Sequence, residues 1–202
     1  MERPPGGGAG RLSRLVLAGL LSGLLAGVSH DALAAGRHAL VVGNSAYAAL
    51  PPLDNPSLDA ALLARSLEGL GFTVRMVTDV GYDAMREAID GSRREARGAE
   101  VALVYYAGHG VQVDGNNYLL PVDAEVRSRE DLRRAGLVLA LLLHELETAA
   151  PDFGILVLDA CRNNPMAELE AELAQSAGRS RAPREGLAPT LATAGLLIAY
   201  AT

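Results

Sequence analysis

Two kinds of hydrophobic pattern alternate along the chain from Arg37 to its end. Short continuous apolar runs between glycines and other turn formers are typical of strands that are covered on both faces of a sheet. Longer stretches with apolar residues three or four positions apart are typical of helices that pack one face against a sheet. Strands are predicted over residues 38–42, 72–77, 101–106, 118–122, 153–158 and 196–199, and helices over residues 57–70, 82–97 and 129–149.

This alternation predicts an α/β domain in which a mainly parallel central sheet is flanked by helices. Ser57 is the predicted N-cap of the first helix. Residues 114–117 (Asp-Gly-Asn-Asn) predict a tight turn before a short edge strand. Residues 166–190 have few aromatics and mix Ala, Glu, Arg, Pro and Gly, which indicates a flexible linker. In the first predicted helix, residues 57–70, the leucines at helical spacing are Leu58, Leu62, Leu63, Leu67 and Leu70.

Residues 1–34 are interpreted as a signal peptide. Arg11 and Arg14 precede the apolar run 15–28, and Ala-Leu-Ala at 32–34 matches the small-x-small pattern that signal peptidase reads. The run has 14 residues, fewer than the roughly 20 that cross a bilayer, so an uncleaved membrane anchor is the alternative interpretation. The prediction is an exported protein, periplasmic or secreted, with its folded domain at 35–202 and no stable membrane insertion after cleavage.

The basic residues exclude several classes of enzyme. All 18 of them are arginine, and the chain has no lysine. A Schiff-base lysine, a P-loop lysine and a Ser–Lys dyad are therefore impossible, which excludes pyridoxal-phosphate enzymes, Walker-type NTPases and kinases. The formal net charge is −6 and no dense basic stripe appears, so no binding to nucleic acid is expected.

Cys161 is the single cysteine of the chain. In an oxidising compartment it has no partner for an intramolecular disulfide or a cysteine-type metal site, so it is either an inert core residue or a reactive one. It follows the predicted strand 153–158, and His109 follows the predicted strand 101–106. Because ligands bind at the carboxyl ends of parallel strands, both residues are expected at the same edge of the sheet.

A cysteine and a histidine at one edge can form a nucleophile and its general base. An imidazole beside a thiol favours the thiolate, which is the reactive form. The N–H groups of Gly110 and Cys161 are the predicted oxyanion hole, because glycines let the backbone approach a substrate closely. Taken alone, His109 is also consistent with a hydrogen-bonded turn histidine, and its pairing with Cys161 is what favours catalysis.

Five segments of the chain form recognisable motifs: residues 41–47 (VVGNSAY), 55–60 (NPSLDA), 105–112 (YYAGHGVQ), 118–124 (YLLPVDA) and 158–165 (LDACRNNP). Together they resemble the caspase-like peptidase family, and most closely its bacterial metacaspase-like branch. The separation of 52 residues between His109 and Cys161 is close to the spacing of about 50 in caspases, whose nucleophile lies in the pattern Q-A-C-[RQG]-G. Here Asp159 replaces the Gln and Asn163 replaces the Gly.

The resemblance implies a caspase-like three-layer sandwich, a Cys161–His109 dyad and endopeptidase activity on a protein or peptide substrate. It also implies that Asp159, two residues before the nucleophile, and Asp59 line the S1 pocket. Two carboxylates there favour a basic P1 residue, Arg or Lys, through charge-assisted hydrogen bonds. Without the resemblance, Asp59 would be interpreted as a first-turn acid that the helix dipole stabilises, and Asp159 as a helix cap.

The resemblance also bears on metals and on completeness. Calcium-dependent relatives use a cluster of aspartates, whereas only Asp123 and Asp114 lie in comparable positions here, fewer oxygens than the six to eight that calcium takes. No cofactor and no metal site are therefore predicted, and calcium is the alternative cofactor that the resemblance leaves open. Relatives continue beyond the last strand, so the C-terminal side of the cleft is expected to be incomplete.

The sequence leaves two alternative functions and one segment for self-cleavage to weigh against the peptidase interpretation. An inactive caspase-like binding or scaffold module is the main alternative, and a flavodoxin-like binding domain is disfavoured because no glycine-rich phosphate loop is present. Arg179, Arg181 and Arg184 lie between the nucleophile and the last predicted strand. An enzyme selective for basic P1 residues could cut its own chain there, although a solvated linker is the simpler interpretation.

Overall fold

The computed structural model describes residues 36–160, 187, 190 and 194–201. The predicted signal peptide (1–34), Cys161, nearly all of the linker 166–190 and the three arginines within it lie outside the described residues. The predicted domain boundaries and export therefore stay predictions. In the described part of the chain, no helix has the length and apolar character that a membrane span requires.

The described residues form a five-stranded sheet, a three-stranded sheet and four helices. The strands are β1 (Arg37–Gly43), β2 (Phe72–Thr78), β3 (Val101–Gly108), β4 (Gly110–Val113), β5 (Asn116–Leu119), β6 (Leu137–Val138), β7 (Phe153–Ala160) and β8 (Leu196–Tyr200). The helices are α1 (Pro56–Gly69), α2 (Tyr82–Glu95), α3 (Arg129–Ala135) and α4 (Leu139–Ala149).

The five-stranded sheet has the order β2-β1-β3-β7-β8, and every neighbouring pair in it is parallel. The short strands β4, β5 and β6 form a separate antiparallel sheet. Helix α1 covers one face of the large sheet, and helices α2 and α4 cover the other. The predicted α/β class, with a mainly parallel central sheet between helical layers, is confirmed.

Both faces of the central strands are buried, which accounts for their continuous apolar runs. On one face, Tyr105 of β3 packs in the cluster that includes Leu67 of α1. On the other face, Tyr106 packs in the cluster that includes Met85 of α2 and Leu142 of α4. Because side chains alternate along a strand, these adjacent tyrosines reach opposite sides of the sheet.

The start of α1 differs from the prediction. Asn55 is the N-cap residue and Pro56 lies in the first turn, so the prediction of Ser57 as N-cap was wrong. Proline suits the first turn because it has no N–H to leave unpaired there. The Ser57 hydroxyl instead donates a hydrogen bond to the Gly43 carbonyl oxygen at 3.2 Å, which joins the helix start to the end of β1.

Helix α1 buries small residues rather than most of its leucines. Ala60 is fully buried, whereas Leu58 and Leu62 are 65% and 56% exposed. A Cβ added at Gly43 would lie 2.5 Å from the Pro56 carbonyl oxygen and 2.7 Å from the Ala60 Cβ. The helix therefore approaches β1 so closely that alanine and glycine form the contact, and the regular leucine spacing did not mark the buried face.

The predicted helix over residues 129–149 is two helices, α3 and α4. Between them the backbone at Gly136 is extended (φ −92°, ψ 146°), and Leu137–Val138 pairs with β5. A Cβ added at Gly136 would lie 2.8 Å from the Leu132 carbonyl oxygen. The prediction of one helix was wrong because pairing with a distant strand, which helical spacing does not report, satisfies the backbone at this point.

Strands β4 and β5 form a hairpin with a two-residue loop. Asp114 and Gly115 both have positive φ, 51° and 82°, as the twist of a tight hairpin requires. Strand β5 begins at Asn116 and ends at Leu119. The predicted turn was therefore two residues too long, and β5 lies between β4 and β6 rather than at an edge.

Candidate active site

The ends of the central strands bring the candidate residues to one edge of the sheet. In the parallel register, Ala107 is paired with Asp159 and Gly108 with Ala160. His109 is the next residue after β3. Cys161 is joined directly to Ala160, the last residue of β7, but is itself outside the described residues.

Hydrogen bonds hold the backbone of His109 on both sides. Its N–H donates to the Tyr47 hydroxyl at 2.8 Å. Its carbonyl oxygen accepts from the Tyr106 hydroxyl at 2.8 Å and from the Leu120 N–H at 3.0 Å. A Cβ added at Gly108 would lie within 2.7 Å of both tyrosine hydroxyls, so glycine at this position lets the two tyrosines close around the histidine.

The side chain of His109 is shielded from solvent, at 3% exposure. Nε2 lies 2.8 Å from the Pro51 carbonyl oxygen. A carbonyl oxygen only accepts, so Nε2 carries the proton and Nδ1 of the neutral ring carries the lone pair. The Tyr47 ring lies against the imidazole, with 4.4 Å between ring centroids.

The other imidazole nitrogen of His109 is the notable one. Nδ1 is buried and has no hydrogen-bond partner within the described part of the chain. Burial lowers the pKa of His109 below its ordinary value, and the Pro51 contact opposes this to a smaller extent. The ring is therefore a neutral imidazole near pH 7, and its Nδ1 can accept a hydrogen bond or a proton.

A second group of side chains, Asp59, Tyr105 and Asp159, lies on the α1 side of the same edge. The Tyr105 hydroxyl donates to Oδ2 of Asp159 at 3.1 Å. Burial raises the pKa of Tyr105 above its ordinary value, and the charges of Asp159 and then Asp59 raise it further. Both predicted pocket acids therefore act on one phenol, although they are 100 residues apart in the chain.

The start of α1 determines where Asp59 lies. Asp59 is half-buried in the first turn, and the close contact of Gly43 with Pro56 and Ala60 fixes that turn against the end of β1. The helix dipole also favours a carboxylate at this end of the helix. Asp59 is thus held at the edge where β1, β3 and β7 end.

Gly110, the predicted oxyanion donor, is the first residue of β4 and is buried. A Cβ added to it would lie 2.9 Å from the Ala160 Cβ and 3.0 Å from Cδ2 of Leu187. The backbone of Gly110 therefore approaches the residue that precedes Cys161. A larger side chain would push these two segments apart.

The two aspartates considered for calcium have other contacts. Asp123 accepts hydrogen bonds from the Tyr82 N–H at 3.0 and 3.2 Å and so caps α2. Asp114 pairs with Arg129 at 2.8 Å. Among the residues that the structure describes, no group of three His, Cys, Asp or Glu side chains is placed to hold a metal ion.

Sequence reasoning missed four participants: the Pro51 carbonyl, Tyr47, Tyr105 and Tyr106. A backbone carbonyl leaves no signature in residue type, so Pro51 gave no signal. The tyrosines lie inside the segments 41–47 and 105–112, whose likeness to a family was noted without a role for any of their rings. A buried tyrosine seeks a partner for its hydroxyl, and that expectation could have drawn attention to them.

The parallel sheet between helical layers is the fold of a caspase-like domain, and sequence comparison agrees. The chain belongs to the caspase domain family, whose sequence profile matches residues 36–202. It is 33% identical over 130 residues to human mucosa-associated lymphoid tissue lymphoma translocation protein 1, and 32% identical to the homolog from Mus musculus. The match covers 64% of this chain but 15% of each relative.

Two solved structures share the fold. Protein GSU0716 from Geobacter sulfurreducens superposes with a TM-score of 0.51 at 16% identity, over 67% of this chain and 55% of that one. The Drosophila initiator caspase Dronc superposes with a TM-score of 0.50 at 15% identity, over 63% of this chain and 49% of that one. At these identities the likeness establishes the fold alone, and membership of a bacterial metacaspase-like branch stays a prediction.

Proposed function

We propose that the chain is a cysteine endopeptidase that cleaves peptide bonds after Arg or Lys, with Cys161 as nucleophile and His109 as general base. The observation that carries the proposal is the buried Nδ1 of His109, which has no partner within the described residues. Buried polar atoms are rarely left unpaired. The thiol of Cys161, one residue beyond the partner of Gly108 in the β3–β7 register, is the group that would complete it.

Attack begins with a proton transfer from the Cys161 thiol to Nδ1 of His109. The thiolate adds to the carbonyl carbon of the scissile bond, and the carbonyl π electrons move to oxygen. The N–H groups of Gly110 and Cys161 donate to that oxyanion. The C–N bond then breaks as the imidazolium gives its proton to the leaving amine, and a thioester remains on Cys161.

Hydrolysis of the thioester reverses these roles. A water molecule gives a proton to Nδ1 of His109 and adds to the thioester carbonyl. The C–S bond breaks, the proton returns to the sulfur, and the carboxylic acid product leaves. Through both halves the Pro51 carbonyl accepts from Nε2, which keeps the ring orientation and stabilises the imidazolium.

The two acids support a basic P1 residue. Asp59 and Asp159 are both half-buried beside Tyr105, so a cation can reach them while the protein shields part of each carboxylate from water. A guanidinium or ammonium gains charge-assisted hydrogen bonds in such a site. A P1 aspartate would add a third negative charge and be repelled.

The proposal is tested with fluorogenic peptides that differ only at P1. The full chain and its Cys161→Ala variant are incubated with peptides that carry Arg, Lys or Asp at P1. We expect cleavage after Arg and Lys, little after Asp, and a loss of about a thousandfold or more in the variant, because removal of a catalytic nucleophile costs at least that much. Equal hydrolysis by both proteins, or none by either, would contradict the proposal and favour the inactive binding module.

A further inference from the structure

Tyr105 and Tyr106 are adjacent buried tyrosines, 6% and 1% exposed, that reach opposite faces of the sheet. Tyr106 bonds to the backbone of His109, whereas Tyr105 bonds to the carboxylate of Asp159. We propose, on the basis of the proposed peptidase function, that Tyr105 is a positioning residue that determines specificity through Asp159. Its hydroxyl fixes the Asp159 carboxylate so that the acidic site takes the guanidinium of a P1 Arg in preference to the ammonium of a P1 Lys.

The strand register allows little freedom in this contact. Tyr105 is paired with Val157 and Ala107 with Asp159 in the β3–β7 ladder, so the tyrosine and the aspartate lie on the same face, two residues apart in register. The phenol has one proton, and it donates that proton to Oδ2 of Asp159 at 3.1 Å. Oδ1 of the same carboxylate then has a fixed direction in which to accept from a ligand.

The environment of the phenol keeps it a donor. Burial, with the charges of Asp159 and Asp59, raises the pKa of Tyr105 above its ordinary value. A phenolate at this point would face two carboxylates, so the neutral phenol, which donates to Oδ2 of Asp159, is favoured.

A fixed carboxylate benefits arginine more than lysine. The guanidinium is planar, and its five N–H donors point in set directions, so it gains most from acceptors whose positions are also set. The ammonium is compact, rotates freely and is strongly hydrated, so it gains less from a fixed acceptor. Asp59 supplies the second carboxylate of the site from the facing helix.

The test is the ratio of kcat/KM for an Arg-P1 peptide to that for the matched Lys-P1 peptide, in wild type and in Tyr105→Phe. This ratio does not depend on the concentration of active enzyme, so partial misfolding of the variant cannot move it. We expect the ratio to fall about tenfold, as loss of one hydrogen bond to a charged group implies. The change should appear mainly as a higher KM for the Arg peptide.

Tyr106→Phe is the matched control, because it removes a hydroxyl from the neighbouring buried residue on the opposite face. It should slow hydrolysis of both peptides and leave the ratio unchanged, since Tyr106 contacts the His109 backbone. Three outcomes would each overturn the proposal. Wild type could show no preference for the Arg peptide, the ratio could be unchanged in Tyr105→Phe, or the ratio could fall equally in both variants.

Binding separates this proposal from the peptidase function. If the wild-type chain hydrolyses neither peptide, the peptidase proposal fails, and the same two peptides are titrated into Cys161→Ala and into the Cys161→Ala, Tyr105→Phe double variant. An arginine preference in the first that is lost in the second supports the role of Tyr105. The same preference in both proteins, or no binding to the first, overturns it.

Discussion

Two regions meet at the carboxyl edge of the central sheet, and tyrosine hydroxyls form different kinds of hydrogen bond in each. The histidine region consists of His109, Tyr47, Tyr106 and the Pro51 carbonyl, and it contains no carboxylate. The acidic region consists of Asp59, Tyr105 and Asp159. In the first, two tyrosines hold the backbone around the imidazole. In the second, one tyrosine holds a carboxylate.

The difference in burial between the regions matches the roles that we propose for them, a general base in one and a recognition site in the other. His109 is almost fully buried, so its imidazole is kept neutral and aimed. The two aspartates are half-buried and keep access to a charged ligand. A general base works best when it is neutral and fixed, whereas a recognition site needs charge that a ligand can reach. Variants in each region should therefore change different kinetic constants.

The largest effect is expected from His109→Ala. Loss of the general base should lower kcat on Arg-P1 peptides by about 100- to 10,000-fold, because proton transfer by a positioned side chain contributes that much. KM should change little, since the acidic region is intact. His144→Ala, on the exposed side of α4, is the matched control and should keep wild-type rates. A similar loss of kcat in His109→Ala and His144→Ala would show that His109 is not the general base.

The next effect is expected from Asp159→Asn. Removing one charge from the acidic region should lower kcat/KM for Arg-P1 peptides about 30-fold or more, because loss of a charged partner costs about 2 kcal/mol even at the low end. The change should lie mainly in KM, in contrast to His109→Ala. Asp152→Asn, at the exposed opposite end of β7, is the control. A drop in kcat at constant KM would contradict the division between the regions.

A smaller effect on kcat than that of His109→Ala is expected from Tyr47→Phe. The variant leaves the buried His109 N–H without its acceptor, which should cost about 1–3 kcal/mol of the free energy of unfolding. The imidazole also loses orientation, so kcat should fall by up to about 100-fold, the cost of a misplaced catalytic group, while KM and the preference for Arg stay constant. Urea unfolding and peptide kinetics check the two parts. Tyr82→Phe, at the start of α2, is the control and should change neither.

Much of the fold was predictable because local pattern and global structure agree in the parallel sheet. Strands β1 and β3 are buried on both faces, and β7 is buried on one face and partly buried on the other, so their apolar runs are continuous and their ends mark the edge. That is why His109 could be assigned to the carboxyl edge from sequence. The family was likewise predictable from the segments around His109 and Cys161.

The errors arose where distant contacts decide the structure. Ser57 has the chemistry of an N-cap, but Pro56 starts the helix and the serine hydroxyl bonds to Gly43 instead. Gly136 interrupts a helical pattern because Leu137 pairs with β5. The roles of Tyr105 and of the Pro51 carbonyl depend on partners 54 and 58 residues away in the chain, which no local pattern reports.

The smallest predicted effect concerns pH and stability in the histidine region. The folded pKa of His109 is lowered by burial, whereas in the unfolded chain it is near the ordinary value of about 6.5. The unfolded state then binds more protons than the folded state between those two values. The contribution of His109 to stability is complete above about pH 6.5 and is lost as the pH falls from there toward the folded pKa.

His109→Gln removes this titration and keeps a polar side chain of similar size. The free energy of unfolding, measured in urea at pH 7, 6 and 5, should therefore fall less steeply with decreasing pH in His109→Gln than in wild type. Carboxylates titrate in both proteins and cancel in the comparison. If the free energy of unfolding changed with pH equally in wild type and His109→Gln, burial would not be what keeps the imidazole neutral. The contrast between a buried, neutral base and half-buried, accessible acids would then be wrong for His109.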